Sequence, residues 1–151
     1  MNKAFQRIGA ESNAQAGRNF ELRAQEYFQS KGLVLDRPYN VNVGIESIYK
    51  THSFDLGSHH PKVIVECKSH TWTKGNNVPS AKITIWNEAM YYFVAVPSDY
   101  RKIMFVLRDY SKKHDETLAE YYLRTYRHLI PSDVEFYEYD EKNQSAFKFK
   151  I

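Results

Sequence analysis

The chain has 151 residues, enough for one domain with a real core and short for more than one. Its single cysteine, Cys67, excludes an intramolecular disulfide and fits a reducing compartment. The formal charge of +3 permits binding to a polyanion without demanding it. No stretch of about 18 apolar residues and no apolar leader of signal-peptide type is present. The expectation is therefore a cytoplasmic protein with no membrane partner.

The first dozen residues, MNKAFQRIGAES, read as a loose arm or a short helix. A helix follows over about Asn13 to Lys31, closed by Gly32. Its apolar stripe is Phe20, Ala24, Tyr27 and Phe28 at helical spacing. Glu21 borders that stripe, with Arg18 and Gln25 as ordinary surface partners in reach. The segment LVLDRPYNVNVGI reads as extended, and Pro38 marks an edge or a bend.

The stretch from His52 to His70 reads as strand, tight turn and strand, with the turn placed at Gly57, Ser58 and Pro61. SIYKTHSFDLG is its first strand and KVIVECKSHTW its second. Side chains alternate faces along a strand. Val63, Val65 and Cys67 then form a plain hydrophobic face, and Ile64, Glu66, Lys68 and His70 share the other. Glu66 and Lys68 sit about 7 Å apart along the strand. Ten residues separate Asp55 from Glu66, so the hairpin can bring the two carboxylates together. Like charges at close range repel, and a hard divalent cation with oxygen ligands relieves the repulsion. A lysine alongside can hold water or steady developing phosphate charge. The alternative is a surface hairpin with a cross-strand ion pair; the apolar runs VIV and SFDL argue against it, because unpaired charge is costly in a buried strand.

TWTKGNNVPS is a loop leaving the motif strand directly. Lys74 can offer charge to phosphate, and Asn76 and Asn77 can hydrogen-bond phosphate or base edges; an ordinary self-satisfied turn weighs equally. Pro79-Ser80 opens a second helix over about Ala81 to Val94, apolar nearly all round, with one side for the sheet and the other for a subunit partner or the first helix. RKIMFVLRDY reads as a central strand. DETLAEYYLRTYRHLI is a third helix, with Leu118, Tyr121, Tyr122, Thr125 and Leu129 inward and Arg124, Arg127 and His128 outward. VEFYEYD and SAFKFKI alternate as half-exposed strands around a turn at Glu141-Lys142-Asn143.

FDLG, the ten-residue interval and VECK together resemble the signature of the PD-(D/E)XK nuclease superfamily. The predicted order of elements is similar to that family's αβββαβ core, a central mixed sheet flanked by helices, over about residues 13–107; residues 115–151 are then additions within one nuclease domain spanning 1–151. The resemblance implies a Mg²⁺-dependent phosphodiesterase, with Mn²⁺ a possible substitute. Asp55, Glu66 and the Cys67 backbone carbonyl would bind the metal, and Lys68 would orient the attacking water. Gly17-Arg18-Asn19-Phe20-Glu21 is similar to the family's G-x-x-x-E helix, which implies Glu21 as a further ligand. Phe54 stands where the signature often has proline. His70, Lys74, Asn76, Asn77 and Lys82 are the candidate nucleic-acid contacts, Lys82 because the family often brings a polar side chain from this helix to the site.

These features point to a DNA endonuclease, most like a type II restriction enzyme working as a homodimer. The alternatives are a structure-specific or repair nuclease of the resolvase kind, and a non-catalytic nucleic-acid-binding protein of the same fold. A zinc site on His52, His59, His60 and His70 is a further rival, though the four follow no helical ligand spacing.

Overall fold

Val63, Ile64, Val65 and Glu66 are all buried, on alternating faces, which makes KVIVECK an interior strand covered on both sides. The computed structural model describes residues 13–151; the arm expected over the first dozen residues lies outside them. The elements in order are α1 (Asn13–Ser30), β1 (Tyr39–Val43), β2 (Lys50–Phe54), β3 (Leu56–His59), β4 (Lys62–Lys68) and α2 (Ser80–Ala95). β5 (Arg101–Leu107), β6 (Tyr110–Ser111), β7 (Glu116–Thr117), α3 (Leu118–Tyr126), β8 (Val134–Asp140) and β9 (Ser145–Lys148) follow.

The main sheet is mixed and has five strands in the order β3-β4-β5-β8-β9. β4, β5 and β8 run parallel, and the edges β3 and β9 run antiparallel to their neighbours. The two parallel crossovers carry α2 and α3, and both helices lie on one face, as crossovers of one hand moving in one direction require. Their Trp86, Phe93, Leu118 and Tyr122 pack there against Ile64, Met104 and Phe136. α1 covers the opposite face, where Phe20, Ala24 and Phe28 meet Val63, Val65, Ile103 and Phe105. The result is a three-layer α/β arrangement with three α-helices among the described residues. None of them is long and apolar enough to cross a membrane.

Several expectations need correction. The strand expected over SIYKTHSFDLG is two strands in different sheets: β2 pairs with β1, β3 pairs with β4, and Asp55 stands at the break. Gly57 and Ser58 lie within β3, and the tight turn falls at His60-Pro61. The face of β4 bearing Ile64 is as deeply packed as that of Val63 and Val65. α1 and α2 lie on opposite faces of the sheet, so α1 does not cover the outer side of α2, where Ile85, Tyr91 and Val94 are exposed.

The third helix starts later than its sequence suggests, because Asp115 takes a positive φ of 52° and β6–β7 forms a small hairpin before it. Thr117 then caps α3: its hydroxyl accepts the Glu120 N–H at 3.1 Å, and the Glu120 carboxylate accepts the Thr117 N–H at 2.9 Å. α3 also ends early, at Tyr126, and a 3₁₀ turn over Arg127–Leu129 follows. Leu118, Ala119, Tyr122 and Leu123 face inward, while Tyr121 is half-buried and Leu129 exposed.

β3 is held from outside as well. Asp36 and Gly57 exchange both backbone hydrogen bonds, at 2.7 and 3.0 Å, and the Tyr39 side chain lies flat over Gly57. A Cβ added at Gly57 would stand 2.7 Å from Tyr39 Cβ and nearer still to its ring. Overpacking of this kind costs about 1–3 kcal/mol. Gly57→Ala should therefore lower the melting temperature by several degrees, and adding Tyr39→Ala should recover part of the loss relative to Tyr39→Ala alone. An unchanged melting temperature in Gly57→Ala would show that this contact does not constrain the strand.

Candidate active site

The break after β2 ends a ladder, and a ladder that ends leaves an amide without a partner. Leu56 is the last residue of β3 paired with β4, opposite Val65. The next outward amide of β4 is that of Cys67, and it donates to Asp55 Oδ2 at 2.7 Å. The side chain of Asp55 thus takes over where the backbone stops, and its carboxylate is drawn against the last turn of the pleat. Glu66 stands on the α2 side of the same strand end. Its carboxylate accepts a hydrogen bond from Lys68 Nζ at 3.3 Å, with the two side chains only 10% and 13% exposed.

α1 brings a third carboxyl. Glu21 shares a hydrogen bond with Asp55 and forms an ion pair with Arg37 at 3.7 Å. Arg37 carries no signal in the sequence as a site residue; it approaches because the segment after α1 runs back along β3. Glu21, Asp55, Glu66 and Lys68 are therefore brought together from α1, the β2–β3 break and the end of β4.

Charge shapes the properties of this group. Burial first, and then the neighbouring Asp55 charge, push the Glu66 carboxyl up to about 7, against the pull of Lys68. Glu21 is also pushed up to about 7, by burial and by the charge and hydrogen bond of Asp55, while Arg37 and Lys68 pull it down. Two carboxyls pushed up by burial beside the charge of a third are a donor set suited to a hard cation. Among the described residues, no three His, Cys, Asp or Glu side chains form a ready-made cage. Mg²⁺ needs none, since it keeps several waters and takes one or two carboxylates. Asp55 Oδ1 takes no part in the Cys67 bond and Glu66 Oε1 none in the Lys68 bond, and the Cys67 carbonyl directly follows Glu66 in sequence.

A cleft of about 520 Å³ opens beside Asp55 and Lys68, at the carboxyl end of β4. Gly17, Asp55, Lys68, His70, Lys74 and Lys82 are among its lining residues. Open α/β sheets place ligands at such strand ends. His70 is held rigidly: buried Trp86 donates its indole N–H to His70 Nδ1 at 2.8 Å. Burial, then Lys68 and Lys82, bring the His70 imidazole down to about 4, so the ring is neutral at pH 7 with its proton on Nε2.

Asn76 and Asn77 are engaged elsewhere. Asn76, at a positive φ of 57°, accepts Ser111 Oγ at 3.4 Å on its side chain and bonds His114 Nε2 at 2.6 Å through its carbonyl. Asn77 Oδ1 accepts Lys113 Nζ at 3.2 Å. Their loop is fixed at its start by Asp109, which accepts the Trp72 N–H at 2.9 Å and the indole N–H at 3.0 Å. Asp109, Trp86 and the β6–β7 hairpin are the supports that sequence reading missed, because each acts across more than 15 positions or through strands of two residues.

The four histidines of the zinc alternative are kept apart. His59 ends β3 and His60 lies in the turn before β4, while His70 lies beyond the other end of β4, with seven strand residues, or about 23 Å, between them. His52 stacks on Tyr92 at 3.6 Å.

The carboxyls set a pH dependence with a definite sign. Folded values near 7 exceed the ordinary 4.5, so the favourable contribution of the protonated forms is complete below about pH 4.5 and is lost as pH rises through about 7. Without divalent metal, wild-type protein should lose stability relative to Glu66→Gln between about pH 5 and 8, by on the order of 2 kcal/mol or about 5 °C. Thermal melts of the two proteins across that range check this; parallel profiles would contradict it.

Comparison with protein-family models, with curated proteins and with solved structures finds no match to the chain.

Proposed function

We propose that the chain is a metal-dependent DNA endonuclease of the PD-(D/E)XK kind, most like a type II restriction enzyme. The observation that carries this reading is the meeting of Glu21, Asp55 and Glu66 with Lys68 beside one open cleft, which Asp55 and Lys68 line. The order of elements supports it too: a helix, a strand meander with Asp55 at the β2–β3 break and Glu66 on β4, a crossover helix, and a parallel strand.

Asp55, Glu66 and the Cys67 carbonyl would hold Mg²⁺ or Mn²⁺, with Glu21 as a further ligand, direct or through water. A bound ion supplies Lewis acidity toward the scissile phosphate and a coordinated water of lowered pKa. The protein groups do the rest. Asp55 is oriented by the Cys67 amide, so its free oxygen has a fixed direction. Lys68 is restrained beside Glu66 and can donate to the attacking water or to a non-bridging oxygen as charge builds on the phosphate. His70, neutral and with Nε2–H, offers a hydrogen bond to a phosphate oxygen and is too weak a base to compete for the water's proton. Cutting both strands with so small a domain takes two copies. The exposed Tyr91 and Val94 of α2, with Ile48 and Tyr49 of the β1–β2 loop, are the apolar surface available for that contact.

Supercoiled plasmid incubated with the protein should be nicked or linearised in Mg²⁺ and left intact in EDTA or by Glu66→Ala. Lys68→Ala should cut at least about 100-fold more slowly while titrating Mn²⁺ like the wild type in a calorimeter. Wild-type cutting by Lys68→Ala would remove the assigned role, and no cutting of any duplex by wild type would favour the non-catalytic reading.

A further inference from the structure

The loop that walls the cleft has a second surface, and the β6–β7 hairpin is seated on it. Lys113 and His114 bond Asn77 and Asn76, Ser111 reaches Asn76, and the His114 ring stacks on Trp72 with centroids 4.4 Å apart and planes 9° apart. The same loop lines the cleft with Trp72, Thr73 and Lys74. Loop and hairpin therefore form one rim, and the exposed cations of that rim are Lys74, Lys112 and Lys113. Lys82 lines the cleft from α2.

The acidic residues nearby are occupied. Asp115 accepts the Tyr110 hydroxyl, Glu116 pairs with Arg124 at 2.7 Å, Asp109 holds Trp72 and Glu120 caps α3. Among the described residues, Lys74, Lys82, Lys112 and Lys113 enter no ion pair. Exposed cations without an ion-pair partner, beside a cleft, are the footprint expected for a polyanion backbone. This also explains where the two asparagines went. Their side-chain oxygens fasten the hairpin to the loop.

We propose that the β6–β7 hairpin is a phosphate-binding arm, in which Lys112 and Lys113 continue the cationic track of Lys74 and Lys82. It holds the sugar–phosphate backbone of duplex DNA a short distance from the bond to be cut. The proposal rests on the endonuclease reading for the choice of DNA.

The test is binding of a fluorescein-labelled duplex to the full chain in EDTA, followed by anisotropy between about 50 and 200 mM NaCl. Wild type should bind, with log affinity falling linearly against log salt. Lys112→Ala with Lys113→Ala should weaken binding about tenfold and flatten the slope by about 2, close to one phosphate contact for each lysine. Lys112→Ala alone, at a residue with no hydrogen bond to the loop, should flatten it by about 1. Lys150→Ala, at the opposite end of the sheet, should match wild type. His114→Ala, which loosens the loop without changing a phosphate contact, should lower affinity at constant slope. Wild-type affinity and slope in both lysine variants would overturn the arm while leaving the nuclease reading intact, provided wild type binds and cuts. A drop in affinity at unchanged slope in the lysine variants would also overturn it, since that is the signature of a purely structural role. Absence of duplex binding by wild type would overturn both readings together.

Discussion

The hydrogen bond from the Cys67 amide to Asp55 lets a buried strand end in a polar site without unravelling. Stopping β3 opposite Val65 frees an amide in a region where water is scarce, and an orphan amide there costs about 1–3 kcal/mol. A carboxylate accepts it and in doing so gains a fixed orientation. The strand break, the anchoring of Asp55 and the approach of β2 toward α2 are thus one event. Outside it, the Asp36–Gly57 bridge and the Tyr39 ring hold β3 in line, so that Asp55 cannot swing away.

Once Asp55 is fixed, the electrostatics follow. Two further carboxyls are packed near it by hydrophobic burial of their own elements: Glu21 rides beside Phe20 and Ala24, and Glu66 follows Val65 into the sheet. The core forces these groups together, and Arg37 and Lys68 offset only part of the repulsion. The remaining strain is small against the whole core yet concentrated in one corner. Such concentration is common where a fold keeps a functional site at some expense of stability.

Much of this was legible in the residues. The helical stripe of α1, the alternation around β4 and the apolar run of β5 are periodic signals, and they locate the three layers. The association of Asp55, Glu66 and Lys68 follows from alternation and a hairpin of the right length. Other features have no local signal. SIYKTHSFDLG is continuous in strand propensity, and what divides it is Asp36 and Tyr39 arriving from elsewhere. Asn76 and Asn77 look like free polar groups until the β6–β7 hairpin, whose strands are two residues each, is placed over them. The late start of α3 depends on a single left-handed residue and a capping pair, and its end at Tyr126 leaves Leu129 exposed in the 3₁₀ turn that follows.

The chain has two tryptophans, and both are wired to this cleft through an imidazole. Trp72 stacks on His114 in the outer rim, and Trp86 donates its indole N–H to His70 at the inner wall. Imidazole rings quench indole emission by an amount that depends on their protonation and distance. The protein's intrinsic fluorescence is therefore a built-in optical gauge of the cleft, with one indole reporting the outer rim and the other the buried wall, and no external dye is needed to follow what enters between them.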